Sequence, residues 1–162
     1  MNIDIIQADY RNEQHAAALI MLLDAYACDP MGGGHALSDA VKQKLVPALA
    51  LQPGAFSLLA YVDGEAVGLT NCFEGFSTFA CQPLVNIHDI AVLPAYRGNG
   101  IAQQMMAYAE QLARERGCCK VTLEVLQGNH AAQRAYRKIG YDGYQLDAEM
   151  GDALFWQKKL IP

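Results

Sequence analysis

The sequence predicts a single α/β domain over residues 1–162, with a mixed, twisted central sheet and helices on both of its faces. Apolar residues alternate between strand and helix periods along the chain, and Asp63-Gly64 separates two apolar runs as a hairpin turn does. Residues 84–126 follow a strand-helix-strand pattern with the length of a crossover, which implies parallel pairing. The 162 residues, 52% of them hydrophobic, suffice for one buried core.

The first part of the chain is predicted to form one strand and two helices. Residues 2–8 alternate weakly and predict a strand, after which Asp9 can cap a helix that ends at Asp29. The segment DPMGGGHALS is predicted to be a loop, because three consecutive glycines favour neither helix nor strand. Ser38 opens a second helix, which Pro47 is expected to bend or interrupt because it lacks a backbone donor.

The rest of the chain is predicted to alternate strands with helices. FSLLAYV and AVGLTNCF are the hairpin strands, FEGFSTFACQ is expected to be an irregular aromatic loop, and PLVNIHDIAVL is apolar enough for a central strand. A helix follows from about Gly100 to Arg116, with Gly117 as its stop. CKVTLEVL is then a strand, Asn129 caps a helix that ends at Gly140, and ALFWQKKL closes the chain as a strand.

Composition and charge narrow the class of function. The net charge is −5 and no Lys/Arg block occurs, so the basic surface that nucleic acid or an anionic membrane needs is missing, whereas a cationic substrate is favoured. No apolar run approaches the roughly 20 residues that span a bilayer, and the N-terminus lacks a signal peptide pattern, so a cytoplasmic location is expected. The five cysteines show no metal-binding spacing, and no metal is expected.

The turn in IAVLPAYRGNGIAQQMM leads from an apolar strand through Gly98 and Gly100 into a helix. Such a turn presents backbone N–H groups and the positive end of a helix dipole, which together form an anion site. A P-loop is excluded because the chain has no Gly-Lys pair. A dinucleotide fingerprint is excluded because Gln103 stands at its last glycine position.

The frame Arg97-x-x-Gly100-x-Ala102 resembles the R/Q-x-x-G-x-G/A pyrophosphate loop of the GNAT superfamily of acyl-CoA-dependent N-acetyltransferases. The later segment LEVLQGNHAAQRAYRKIGY resembles the second block of that family, with Asn129 before a short helix that contains Ala132 and Tyr136. The resemblance is specific over residues 85–141. NIHDIAVLPAYRGNGIA and RAYRKIGY are most similar to the diamine branch, which acts on polyamines and thialysine-like amines.

The resemblance implies acetyl-CoA as cosubstrate. Backbone N–H groups of the turn would bind its pyrophosphate, and pantetheine would pair with the central strand, where a backbone N–H can polarise the thioester carbonyl. Arg97 is either a phosphate contact or a solvated surface residue. The implied cofactor-binding residues are Ile90, Ala91, Val92, Arg97, Gly98, Asn99, Gly100, Ile101, Ala102, Asn129 and Ala132.

Acetyl transfer needs a base for the amine and an acid for the departing thiolate. Tyr136 matches the family's tyrosine that protonates the sulfur; the alternative is a core aromatic. The diamine branch has Glu-Asp where this chain has His88-Asp89. His88 is either a base acting through water or a core residue satisfied by a carbonyl. Asp89 would orient His88 or the ammonium, although neighbouring strand residues point to opposite faces, and Glu124 is a third candidate or an exposed carboxylate.

Two loops are expected to contact the substrate. Asp29 in the glycine loop, together with Phe73, Glu74 and Phe76 in the aromatic loop, would hold a cation; the alternative for the aromatics is a core or dimer interface. The sequence thus predicts transfer of acetyl from acetyl-CoA to a primary amine of a small molecule, polyamine or amino-acid-like. The alternatives are a peptide or protein acetyltransferase and a CoA-binding sensor without catalysis. A homodimer through strand 154–160 is implied by the resemblance.

Overall fold

The computed structural model describes residues 1–161, which divide into two compact units, Met1–Leu123 and the segment that begins at Glu124. The first unit contains a five-stranded sheet and three α-helices. In chain order its elements are β1 Ile3–Gln7, α1 Glu13–Cys28, α2 Asp39–Leu51, β2 Ala55–Val62, β3 Glu65–Ser77, β4 Gln82–Val92, α3 Ile101–Glu115 and β5 Val121–Leu123. The second unit contains α4, His130–Lys138.

The sheet has the order β1-β2-β3-β4-β5 and is mixed, as predicted. Its first three pairings are antiparallel, whereas β4 and β5, which α3 connects along the chain, pair in parallel. The β2–β3 hairpin turns at Asp63 and Gly64, whose φ angles of 49° and 89° are both left-handed. An Asp-Gly pair tolerates this conformation, which matches the twist of the two strands.

Helices cover both faces of the sheet in the first unit, which confirms the predicted α/β class. Successive residues of β2 point to opposite faces. Leu59 belongs to a buried cluster with α1 and α2, and we call this side the α1 face. Ala60 belongs to a second cluster with Ile101 and Met105 of α3, and we call this side the α3 face.

The N-terminal cap was predicted correctly for α2 and wrongly for α1. Ser38 caps α2 as predicted, since its Oγ accepts from the N–H of Val41. α1 is capped by Asn12 rather than Asp9, because the Asp9 carboxylate instead accepts from the backbone N–H of Arg11 in a tight turn before the helix. Both caps satisfy amides that the first helical turn leaves without a partner.

Pro47 does not interrupt α2, which continues to Leu51. Pro47 and Gln43 are both exposed, so the Gln43 carbonyl that the missing N–H would have bound is accessible to solvent. Val46 and Leu49 are 5% and 7% exposed, and their burial on the α1 face holds the helix in place. Tertiary packing here outweighs the local cost of proline.

The predicted aromatic loop is wrong, because its residues complete a long hairpin. β3 extends to Ser77 and β4 begins at Gln82, with Phe73 opposite Asn86 and Phe76 opposite Pro83. A regular partner strand thus converts an irregular sequence into paired β-structure. The chain reverses over residues 78–81, where Cys81 has a φ of 50°.

Two predicted strands are shorter or missing. β5 covers only Val121–Leu123 of CKVTLEVL. The predicted closing strand is wrong, since residues 154–160 have no regular structure. Leu154, Phe155 and Trp156 are 76%, 79% and 83% exposed. An extended segment becomes a strand only when another backbone pairs with it, and no such partner is present in residues 1–161.

Candidate active site

The centre of the site is a β-bulge in β4 at His88. Asn71 of β3 lies opposite Asp89 and Cys72 lies opposite Ile87, so His88 is the extra residue. Its ring lies 5.6 Å from the ring of Phe73, edge to face. The Oδ2 of Asp89 accepts a hydrogen bond of 3.0 Å from Nδ2 of Asn71.

The bulge places His88 and Asp89 on the same side of the sheet. The ring of His88 contacts Phe73, and Asp89 lies opposite Asn71. Phe73 and Asn71 are two residues apart on β3, so their side chains both point to the α1 face, where Phe73 packs against the buried cluster. The prediction that His88 and Asp89 point to opposite faces is therefore wrong, because it assumed regular alternation through a strand that carries a bulge. The imidazole is exposed and has no hydrogen-bond partner within residues 1–161.

The edge of β4 that faces away from β3 opens beyond Ile87. β5 pairs with β4 only from Val85 to Ile87. The backbone N–H of Leu93 donates to the Val67 carbonyl of β3 at 2.9 Å. In an antiparallel strand the N–H groups of every second residue point to the same neighbouring strand. The N–H groups of Ile90 and Val92 therefore point to the opposite edge, along which the resemblance places pantetheine.

A cavity of about 240 Å³ lies between the end of α1 and the end of β4. Tyr26 of α1 lines the cavity and was not identified as a site residue from the sequence. Burial raises the pKa of Tyr26, and the charges of Asp89 and Asp29 add to this effect, so the phenol stays protonated at neutral pH. The lining residues are Leu22, Ala25, Tyr26, Cys28, Asp29, Ala91, Val92, Leu93, Pro94 and Arg97.

Arg97 and Asp29, which the sequence assigned to different ligands, both line this cavity and form an ion pair with each other. Nη2 of Arg97 donates to Oδ2 of Asp29 at 2.9 Å, and Nε donates to the Val92 carbonyl at 2.9 Å. The hydrogen bond from Arg97, and secondly that from the Met31 N–H, lowers the pKa of Asp29. Arg97 is thus tied to two protein groups, and Asp29 already has a cation beside it.

The turn after β4 has the conformation of an anion cradle. Gly98 and Gly100 have φ angles of 82° and 75°, which favour glycine. A Cβ at Gly98 would meet nothing within 4 Å, so its surroundings are open to a ligand. α3 begins at Ile101 without any side-chain cap, which leaves first-turn N–H groups available to phosphate oxygens. Nδ2 of Asn99 donates to the Tyr96 carbonyl at 3.1 Å, which stabilises the turn. These residues fit a pyrophosphate.

The predicted substrate residues of β3 do not all face the cavity. Phe73 lies on the α1 face, but its neighbour Glu74 points to the α3 face, where its carboxylate lies 3.6 Å from Nη1 of Arg116. Phe76 shares the alternation of Glu74 and is 60% exposed. The assignment of Glu74 and Phe76 to the same cation site as Asp29 is corrected accordingly, because these residues form a strand rather than a loop.

The remaining predicted residues lie in the second unit. Asn129 caps α4 as predicted, since its Oδ1 accepts from the N–H of Ala132 at 3.2 Å. Tyr136 lies on α4, with its ring centre 6.4 Å from that of Tyr141. Glu124 is exposed. The roles of these residues toward cofactor and substrate stay predictions.

Comparison with known proteins decides the family. A model of the acetyltransferase (GNAT) family matches residues 19–141. The chain belongs to the GNAT family. Streptothricin acetyltransferase of Streptomyces lavendulae is 38% identical to it over 88 residues, which are 54% of this chain and 44% of the relative. Aminoalkylphosphonate N-acetyltransferase of Salmonella typhimurium is 32% identical over 91 residues, 56% of this chain and 59% of the relative. The matched region is thus about half the length of these relatives.

The fold of this GNAT protein also occurs among solved structures. A probable acetyltransferase of known crystal structure superposes with a TM-score of 0.79 at 22% identity, covering 96% of this chain and 99% of the other. In residues 1–161 no helix is long and apolar enough to cross a bilayer. Over the same residues, no three His, Cys, Asp or Glu side chains are grouped as metal ligands.

We expect Gly100→Ala to weaken CoA binding about tenfold, or about 1.4 kcal/mol. A methyl group at a φ of 75° strains the turn and displaces the first amides of α3. The matched control is Gly117→Ala at the other end of α3, where φ is 72° and a Cβ meets nothing within 4 Å. Both variants should lose about 1 kcal/mol of stability, whereas calorimetry with CoA should separate them. Equal CoA affinities would remove Gly100 from the phosphate site.

We expect Arg97→Met to raise the pKa of Asp29 toward its ordinary value, measured by NMR titration of the carboxyl carbon. In the folded wild type this pKa is lowered, so the ion pair contributes to stability at neutral pH and is lost as the pH falls through that pKa. Lys42→Met is the matched control, because Lys42 lowers the pKa of Asp24 in the same way. It should move the titration of Asp24 alone. An unchanged Asp29 titration in Arg97→Met would contradict the ion pair.

Proposed function

We propose that this GNAT protein transfers an acetyl group from acetyl-CoA to a primary amine of a small molecule, polyamine or amino-acid-like. The observation that carries the proposal is the bulge in β4. It brings His88 and Asp89 to one face, beside an open strand edge, and Asp89 lies two residues before Ala91, which lines the cavity that Arg97 and Asp29 border. Those are the positions that a base, an ammonium contact and a thioester would occupy in one reaction.

The proposed chemistry assigns one proton to each end of the reaction. An alkylammonium has a pKa near 10 and must lose a proton before it attacks, while the departing thiolate must gain one. His88 takes the first proton through a water, because a neutral imidazole accepts protons near pH 7. Tyr136 donates to the sulfur, by its match to the family motif. Backbone N–H groups along the open edge of β4 polarise the thioester carbonyl.

The proposed acceptor is cationic. Asp29 is paired with Arg97, whereas Asp89 forms no ion pair within residues 1–161 and is half-buried on the α1 face. A carboxylate in this state attracts an ammonium group. The two named relatives act on streptothricin and on aminoalkylphosphonates, and we infer a small amine here as well. A polyamine is the first candidate, because the resemblance to the diamine branch includes the strand NIHDIAV.

We propose further that the protein forms a homodimer through its C-terminal segment. Leu154, Phe155, Trp156 and Leu160 are 76% to 88% exposed. Four large apolar side chains within seven positions form an exposed patch of the kind that marks an interface. A strand of a second copy would supply the backbone partner that this segment lacks in residues 1–161.

A screen for acetyl transfer tests the proposed function. Acetyl-CoA is incubated with polyamines, amino acids, aminoglycosides or lysine peptides, and thiol release is followed. Cys28, Cys81 and Cys119 are exposed and will react with a thiol reagent, so the acetylated product is also detected by mass spectrometry. Turnover of a small amine above the peptides is expected. Faster turnover of peptides would favour a protein acetyltransferase, and CoA binding without turnover of any amine would favour a sensor.

A further inference from the structure

Behind Asp89 a row of buried polar side chains crosses the sheet on the α1 face. The hydroxyl groups of Tyr10 and Ser57 are 2.8 Å apart, and Ser57 Oγ donates to Oδ1 of Asn71 at 2.6 Å. Nδ2 of Asn71 donates to Oδ2 of Asp89 at 3.0 Å. Ser57 is 0% and Asn71 3% exposed. Tyr10 lies in the turn after β1, and the other three lie on β2, β3 and β4, so the row spans three neighbouring strands and the turn beside them.

The hydrogen bonds of this row all run in one direction. An ionised carboxylate only accepts, so the amide nitrogen of Asn71 faces Asp89 and its oxygen faces Ser57. The single hydroxyl proton of Ser57 is then used toward Asn71, which leaves Tyr10 to donate to Ser57. Burial raises the pKa of Tyr10, so its phenol keeps the proton that this bond requires. Every donor points toward Asp89.

We propose that Asn71 is a positioning residue for the acceptor amine. It holds Oδ2 of Asp89 and so directs Oδ1, which accepts no hydrogen bond within residues 1–161, toward an ammonium group on the α1 face. The assignment rests on the proposed function, since it names how that site holds its amine. A buried amide and hydroxyl cost stability unless they are satisfied, and here their bonds lead to one carboxylate beside the bulge.

If the role of Asn71 were purely structural, replacing it would change stability but not substrate binding. Thr70 provides a control for this possibility. Thr70 is the preceding residue of β3, is also 0% exposed, and points to the α3 face, where its Oγ1 lies 3.5 Å from Sδ of Met105. Thr70→Val thus removes a buried hydroxyl from the same strand without touching Asp89. Asn71→Leu removes the donor to Asp89 and keeps a side chain that branches at the same carbon.

The experiment compares wild type, Asn71→Leu, Thr70→Val and Tyr10→Phe as full chains, with spermidine as the probe amine. The loss of one hydrogen bond to a carboxylate is expected to raise the KM for spermidine about tenfold or more in Asn71→Leu. The KM for acetyl-CoA should stay within about twofold, because the donor lies away from the turn that binds phosphate. Tyr10→Phe should cause a smaller rise. Thr70→Val should lower the melting temperature without changing either KM.

An unchanged spermidine KM in Asn71→Leu would overturn the proposal, as would an equal rise in Thr70→Val. If Asn71→Leu does not fold, Ser57→Ala decides in its place, because it removes the bond that fixes the amide while leaving Asn71 present. Calorimetry separates this proposal from the proposed function. A wild type that binds spermidine more tightly than Asn71→Leu, but turns over no amine, supports positioning and rejects catalysis. A wild type that binds no spermidine overturns the positioning role.

Discussion

Tyr136→Phe is expected to lower kcat about a hundredfold or more while leaving the affinity for CoA nearly unchanged. Protonation of a leaving group by a positioned side chain contributes about 10²- to 10⁴-fold to a rate. In the proposed mechanism, removing the hydroxyl takes away the donor to the departing thiolate, whereas the aromatic ring stays on α4 beside Tyr141. Steady-state kinetics with the best amine from the screen measures kcat, and calorimetry measures CoA affinity.

Tyr141→Phe is the matched control for this variant. It removes a phenol from the same unit and keeps the neighbouring ring, so it should leave kcat within a few-fold of wild type. Equal turnover in Tyr136→Phe and wild type would remove Tyr136 from the mechanism. Equal losses in both variants would mean that the second unit, rather than one hydroxyl, had been disturbed.

His88→Ala is expected to lower kcat about a hundredfold, and added imidazole is expected to restore part of the rate. A general base contributes about 10²- to 10⁴-fold, and the bulge places this imidazole, exposed, on the α1 face with Asp89. In the proposed mechanism, an external imidazole can replace His88 as the base because the truncated side chain leaves room for it. The rate is measured at saturating acetyl-CoA with increasing imidazole.

Phe73→Leu tests the packing explanation of the same loss. It removes the edge-to-face contact at 5.6 Å but keeps the imidazole, so its kcat at saturating amine should stay within a few-fold of wild type, whatever the change in the KM for the amine. A His88→Ala variant with full activity would place the base elsewhere, with Asp89 and Glu124 as the remaining candidates. A loss in His88→Ala that imidazole does not restore, matched by Phe73→Leu, would assign His88 a packing role.

The features that the sequence predicted correctly depend on short stretches of chain. Asp63-Gly64 forms its hairpin because both residues tolerate left-handed φ angles, and Ser38 caps α2 because its hydroxyl reaches an amide three residues later. The turn at Gly98 and Gly100 likewise needs nothing beyond its own residues and the first turn of α3. Such conformations follow from local sterics and hydrogen bonding, which a sequence specifies directly.

The features that the sequence did not predict depend on partners far along the chain. The bulge at His88 exists only in the register between β3 and β4, and the donor to Asp89 comes from Asn71, 18 positions earlier. Arg97 and Asp29 are separated by 68 positions, so their ion pair was not visible in either motif. The C-terminal segment shows the opposite case, because its strand-like pattern found no partner in residues 1–161.

The sequence by itself indicated the mixed sheet through its periodicity, and it indicated the family and the glycine turn before α3 through two contiguous motifs. The tertiary structure decided which side chains share the α1 face. Regular alternation along a strand places neighbouring residues on opposite sides. The extra residue of the bulge breaks this alternation, so His88 lies on the same face as Asp89. Glu74 follows the regular alternation and therefore points to the α3 face. The acceptor side of the site is thus set by strand register, a property of two strands together that neither sequence segment contains.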